Sequence, residues 1–282
     1  MLNEIHDWVA DSPYSRFLGV RLEHVDESSA RLRLPYKDEN SNPGKALHGG
    51  CAASLGTIGG HAVAHAALGE AAAPFHTGQM QVSYLAAAIG EDVVAEARLL
   101  RRGKELCFVA VDVRTSEGKA IASVTSTVRG RFAAEPAETV ATQGDHGEAE
   151  PGPMGPHIGR VPFIGHRGIV VEHMTGGTSR LVMPYREDNA DLSGGVHEGA
   201  VLALLDTTSA MASWAESGPG PYKASTMAIQ VQNFAPAPKA DLVAYGRCVQ
   251  RDGDVFWSDV EVANATDGRL SARGTVFYRI IT

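Results

Sequence analysis

Two short stretches of this chain carry residue types that could do chemistry. Asp206 lies in LLDTTSAMA, with apolar or small neighbours on both sides in a segment of helical composition. Such flanks do not suit a solvated face, and an unpaired buried carboxylate is costly. The position therefore reads as a site acid, able to activate water or to attack directly. His48-Gly49-Gly50 opens another apolar, small-residue segment. A glycine N–H at a helix start has no partner inside the helix, and the helix dipole favours negative charge there. It suits a carbonyl oxygen that is becoming an oxyanion.

Other constellations fare worse. His61 and His65 share a helical spacing of four, but no third ligand stands nearby and HExxH is absent, so no metal is expected. Ser54, Ser209 and Ser213 fall in no GxSxG elbow. Cys51, Cys107 and Cys248 form no CxxC pair and read as reduced thiols, which points to a cytoplasmic location. Arg98, Arg102, Arg247 and Arg251 recur at a strand–turn–strand in two places. They would form a solvated edge or meet phosphates.

That recurrence is general. Arg31–Val113 aligns with Arg180–Val262 without a gap, at a constant offset of 149. RLRLPYKDEN lies over RLVMPYREDN, LHGG over VHEG, and MQVSYLAAA over IQVQNFAPA. The identities cluster in motifs, which marks a duplication. A Pro-, Gly- and Glu-rich stretch separates the copies, giving modules at 1–132 and 161–282 with a linker over 133–160.

Each copy repeats one order of elements. A short strand pair (Gly19–Val25 and Ala30–Pro35; Gly168–His173 and Ser179–Pro184) leads to a loop ending in His-x-Gly. A helix follows over Gly50–Leu68 or Gly199–Glu216, apolar nearly all round and so expected to be buried. Gly56, Gly59 and Gly60 would let strands approach it closely. Four strands come next: Gln79–Leu85, Asp92–Arg101, Leu106–Thr115 and Ala120–Arg129, then Met227–Phe234, Asp241–Gln250, Val255–Ala263 and Leu270–Ile280. Only the first copy shows an N-terminal helical segment, about Asn3 to Ala10. One buried helix inside one curling antiparallel sheet is the α+β arrangement this pattern predicts for each copy.

The loop, His-Gly-Gly, helix and strand order resembles the hotdog-fold thioesterases of the phenylacetyl-CoA thioesterase-like group, over nearly the whole chain outside the linker. The resemblance implies a tandem of two hotdog modules forming a pseudo-dimer, with an acyl-CoA substrate, possible further pairing to a homodimer, and no cofactor. It assigns the oxyanion N–H to Gly49, a loop-orienting role to His48, and site roles to Asn42 and to Thr226, the latter positioning water. It also places a catalytic acid nine residues after the histidine. That position is Asp206 in copy two but Thr57 in copy one, while copy two has His197-Glu198-Gly199 and Asp191 in place of the loop equipment.

Because family sites span the subunit interface, the resemblance implies one complete composite site, with the loop of copy one facing Asp206. It leaves one degenerate site at Thr57, His197, Glu198 and Gly199. Glu198 reads there as a helix N-terminal acid favoured by the dipole, or as a substitute base. Two other functions stay open: an enoyl-thioester hydratase or dehydratase, and a non-catalytic acyl-CoA-binding module.

The 282-residue chain has 44% hydrophobic and 21% charged residues and a net charge of −8, which speaks against a broad nucleic-acid surface. Its N-terminus lacks the pattern of a signal peptide, and no membrane-spanning run is present.

Overall fold

The computed structural model describes residues 2–131, 138–145 and 147–281. The first module comprises α1 (Leu2–Asp11), α2 (Pro13–Leu18), β1 (Arg21–Val25), β2 (Ser29–Leu34), α3 (Gly49–Leu68), β3 (His76–Tyr84), β4 (Val93–Arg102), β5 (Leu106–Thr115) and β6 (Ala120–Arg129). The second comprises α4 (Gly155–Ile158), α5 (Pro162–Arg167), β7 (Val170–Thr175), β8 (Thr178–Met183), α6 (Glu198–Ser217), β9 (Lys223–Asn233), β10 (Leu242–Asp252), β11 (Val255–Asn264) and β12 (Leu270–Ile281).

The strands form one sheet in the order β1-β2-β4-β5-β6-β3-β9-β12-β11-β10-β8-β7. The order reads the same from either end once the copies are exchanged. At the seam β3 and β9 run antiparallel, and Gln81 pairs with Gln230, its own counterpart in the repeat. A pseudo-twofold axis therefore passes through that pair. Every pairing along the sheet is antiparallel, so each module is a curled sheet around its own helix, as the hotdog reading predicts.

The central helices are buried because they carry almost no polar surface. Leu55, Ile58, Ala62 and Val63 on α3, and Leu202, Leu204 and Leu205 on α6, join one core that spans both modules. Small residues set the spacing. A Cβ on Gly56 would reach within 2.8 Å of Val124 Cγ1, and one on Gly60 within 2.9 Å of Ser126 Oγ. These glycines each cost roughly 1 kcal/mol of helix propensity and admit the sheet in return. Between the helices, Gly50 lies against Ala203 and Gly199 against Ser54, so α3 and α6 pass each other antiparallel at their first turns.

Two features depart from the sequence reading. The second copy also carries N-terminal helices, α4 and α5, where none is expected, and α2 and α5 are counterparts. At six residues each, α2 and α5 are too short to show a helical period. Both reach across the interface: Tyr14 of α2 stacks on His197 at 4.7 Å, and Phe163 of α5 stacks on His48 at 4.2 Å. Strands β3 and β9 also begin earlier than their apolar runs, at His76 and Lys223.

The module boundary at 132/133 lies outside the described residues. The rest of the linker lies along the second module, where Thr142 Oγ1 donates to Glu261 at 2.7 Å and Met174 N donates to Glu150 O at 2.8 Å. Among the described residues no helix is long and apolar enough to cross a membrane, and the three cysteines are unpaired thiols.

Candidate active site

His48 and His197 each act as the N-cap of a central helix. Nδ1 of His48 accepts from Gly50 N at 2.9 Å, and Nδ1 of His197 accepts from Gly199 N at 2.9 Å. An accepting Nδ1 puts the proton of the neutral ring on Nε2. Burial pushes the His48 pKa down to about 3. Burial, partly offset by Glu198, lowers His197 to about 4. Both rings are therefore neutral at ordinary pH and serve to fix the turn into the helix.

This cap leaves the Gly49 N–H as the first donor of α3, with no protein acceptor among the described residues. A Cβ built on Gly49 would lie 3.2 Å from Asp206 Oδ2, so the first turn of α3 lies against the acid of the other module. The missing side chain lets this first turn, with its unengaged N–H, approach the carboxylate closely. Asp206 sits on the buried face of α6, only 5% exposed, and Thr226 Oγ1 of β9 donates to its Oδ1 at 2.6 Å. Burial raises the Asp206 carboxyl to about 6, and the Thr226 hydrogen bond works against that rise. The value is close to what a general base at neutral pH needs.

Tyr84, which the sequence reading did not single out, completes this wall. Its hydroxyl donates to Gly49 O at 3.1 Å, and its ring comes within 3.2 Å of the Cβ position of Gly49. Burial and the Asp206 charge hold its phenol well above the usual range, so it stays protonated and fixes the loop. The available signal was its place in MQVSYLAAA, where the repeat has Asn233 instead. On the far side of the acid, Tyr278 pairs across the sheet with Thr226 and accepts from Trp214 Nε1 at 3.3 Å. Tyr222 stacks on Trp214 at 6.0 Å.

The structure thus brings Gly49, Asp206 and Thr226 together, with His48 behind the loop. Asn42 is half-buried in that loop, and its backbone N donates to Ala46 O at 2.7 Å. Its side chain has no bonded partner among the described residues. The exposed Arg98, Arg102, Arg247 and Arg251 stand on β4 and β10. None of them is bonded to Gly49, Asp206 or Thr226, and Arg251 lies over Phe256 at 5.0 Å.

At the pseudo-symmetric position the groups differ. Thr57 hydrogen-bonds to Ala53 O at 3.4 Å on its own helix. Glu198 does not remain at its own helix end. Its carboxylate crosses to module one, where Oε1 accepts from His76 Nδ1 at 2.8 Å and from Thr77 N at 3.0 Å. Oε2 lies 3.2 Å from His61 Nε2, which is also 2.9 Å from Thr77 Oγ1. Burial alone would raise the Glu198 pKa, but His61 and His76 hold it well below the usual carboxylate range. Among the described residues no three His, Cys, Asp or Glu side chains are arranged to hold a metal ion.

Comparison with known proteins bears on the fold and the family. The profile of the Thioesterase superfamily matches residues 44–122, which contain the His-Gly-Gly loop, α3 and β3. A Halobacterium salinarum protein that carries an esterase name is 37% identical over 131 residues, covering 45% of this chain and 86% of that protein. Human acyl-coenzyme A thioesterase 13 is 30% identical over 112 residues, covering 39% of this chain and 79% of that one. Among solved structures, the tesB protein of Mycobacterium avium subsp. paratuberculosis superposes with a TM-score of 0.69 at 15% identity, covering 98% of this chain and 100% of that one. That likeness extends to the whole tandem fold. The chain belongs to the thioesterase superfamily and is a thioester hydrolase.

Proposed function

We propose that the chain hydrolyses acyl-CoA thioesters at one composite site, with the oxyanion donor from module one and the carboxylate from module two. The observation that carries this reading is the close approach of Gly49, whose N–H is unengaged, to the buried Asp206 carboxylate. Gly49 N–H polarises the thioester carbonyl. Asp206 takes a proton from water as its oxygen attacks the carbonyl carbon, and the C–S bond then breaks. The proton passes to the leaving CoA sulfur, yielding free acid and CoA and restoring the carboxylate. Thr226 holds the carboxylate by Oδ1, so Oδ2 faces Gly49. The choice of CoA as carrier follows the human relative, an acyl-coenzyme A thioesterase.

A hydratase reading needs an imidazole paired with a carboxylate above the substrate. His48 is stacked on Phe163, and its Nδ1 is engaged by Gly50, so it does not supply that pair. Release of free CoA from a panel of acyl-CoAs tests the proposal. Asp206→Asn should lose about 10²–10⁴-fold in kcat, the usual worth of a general base, and Thr57→Ala should stay within about twofold of wild type. Full activity in Asp206→Asn overturns the mechanism. A large loss in Thr57→Ala overturns the single-site reading.

A further inference from the structure

The second position is closed rather than empty. Glu198 stands where the first site has Gly49, and its carboxylate reaches into module one. It is met by groups on two elements of module one: His61 on α3, and His76 and Thr77 on β3. His76 and Thr77 are 2% and 1% exposed. The cluster is also capped. Trp8 of α1 stacks on His61 at 6.0 Å with the rings 12° from parallel, and meets His65 edge-on at 6.5 Å. Helix α1 has no counterpart of its length in the second copy.

We propose that Glu198, with His61 and His76, is a positioning clamp that ties α6 to module one and thereby sets the spacing of Gly49 and Asp206. The proposal rests on the reading of that site given above. The modules share one sheet seam and one helix pair, and the two positions flank the same pseudo-twofold axis. Widening that spacing requires α6 to move against module one. Glu198 and Asp206 lie on the same helix, about 12 Å apart along its axis at 1.5 Å per residue, so tying down the first restrains the second. A carboxylate bonded to groups on two elements of module one is well suited to this task, because hydrogen-bond geometry is directional.

The test uses the full chain carrying Glu198→Ala and, as the version that keeps size and hydrogen bonding, Glu198→Gln. Two quantities are read: kcat and KM with an acyl-CoA, and the titration of the Asp206 carboxyl carbon by ¹³C NMR, assigned from its loss in Asp206→Asn. In Glu198→Ala kcat should fall about tenfold to a hundredfold, the scale of a small misplacement of reacting groups. The Asp206 midpoint should also drop by about half a unit or more as water enters. Glu198→Gln should lie between this variant and wild type. If Glu198→Ala does not fold, the Glu198→Gln shift alone decides. An unmoved Asp206 midpoint overturns the clamp, whether or not kcat falls. If wild type releases no CoA from any thioester, the functional reading fails, while a displaced Asp206 midpoint still supports the clamp.

Discussion

The two inter-module positions share a backbone but differ in their side chains and in one helix. Gly49, Asp206, Trp214 and Tyr278 at the first stand where Glu198, Thr57, His65 and Val128 stand at the second. At the first, Thr226 is half-buried and Ser225 exposed. At the second, their counterparts Thr77 and His76 are buried beneath α1. One position keeps a carboxylate with no ion pair, and the other spends its carboxylate on tying the modules together. On the proposed reading, a fused pair divides two jobs that an identical pair must perform at both sites.

The comparison breaks most easily by transplanting one residue. Gly49→Glu places in the first site the side chain that fills the second. Asp206 Oδ2 is only 3.2 Å from where that side chain would begin, and no histidine pair waits to receive it. The carbonyl position would be occupied and a second negative charge set beside the base. We expect kcat/KM to fall by about 10²–10³ or more, the scale of losing an oxyanion donor, with the fold retained by circular dichroism. A variant within tenfold of wild type would show that this position is not where the thioester sits.

The next effect is on stability. In the folded chain the Asp206 carboxyl is raised to about 6 from 3.8. The folded state therefore binds that proton more tightly than the unfolded chain. Ionisation costs stability in full above pH 6, progressively less down to about pH 4, and nothing below. Asp206→Asn removes that charge and keeps an oxygen for Thr226. It should be more stable than wild type by up to about 3 kcal/mol at pH 7.5, and equal to it at pH 3.5, in urea unfolding. Equal stability at both pH values would mean that the carboxylate is paired or solvated, as Glu198 is paired. The second position predicts the opposite sign. The pKa of Glu198 is depressed, so its contribution is present above the ordinary carboxylate range and lost as pH falls through the depressed value.

Much of this arrangement was legible in the chain itself. The constant repeat offset carried the strand order, and the apolar flanks of Asp206 announced a buried acid, because a helix buried all round leaves a carboxylate nowhere to be solvated. The bounds of α3 and α6 moved by one residue, to His-capped starts at Gly49 and Glu198. What escaped depended on contacts between residues distant in the sequence. Tyr84 matters because of the loop it touches 35 residues away. His61 and His76 matter because a glutamate arrives from the other module, and His76 precedes the apolar run from which β3 was predicted. Glu198 itself read as an acid serving its own helix end, because nothing in its local sequence points across the axis.

The smallest expected effect concerns Thr226 and sharpens the comparison most finely. Its hydroxyl donates to Asp206 Oδ1 at 2.6 Å and opposes the rise that burial causes. Thr226→Val removes the donor and keeps the shape, so the Asp206 carboxyl should rise further above 6. The acid limb of kcat/KM should move to higher pH by about one unit, since a hydrogen bond to a charged group is worth roughly 1.5–3 kcal/mol. Activity would then fall about tenfold at pH 6 and only a few-fold at pH 8.5, where the carboxylate is ionised in either protein. Thr77→Val is the matched change at the closed position. Thr77 meets Glu198 through its backbone N–H, which valine retains, and the hydroxyl that valine removes bonds to His61 and not to either carboxylate. The pH profile should therefore stay in place. A shift in both variants, or in neither, would remove the distinction between a threonine that tunes a base and one that lines a sealed ion pair.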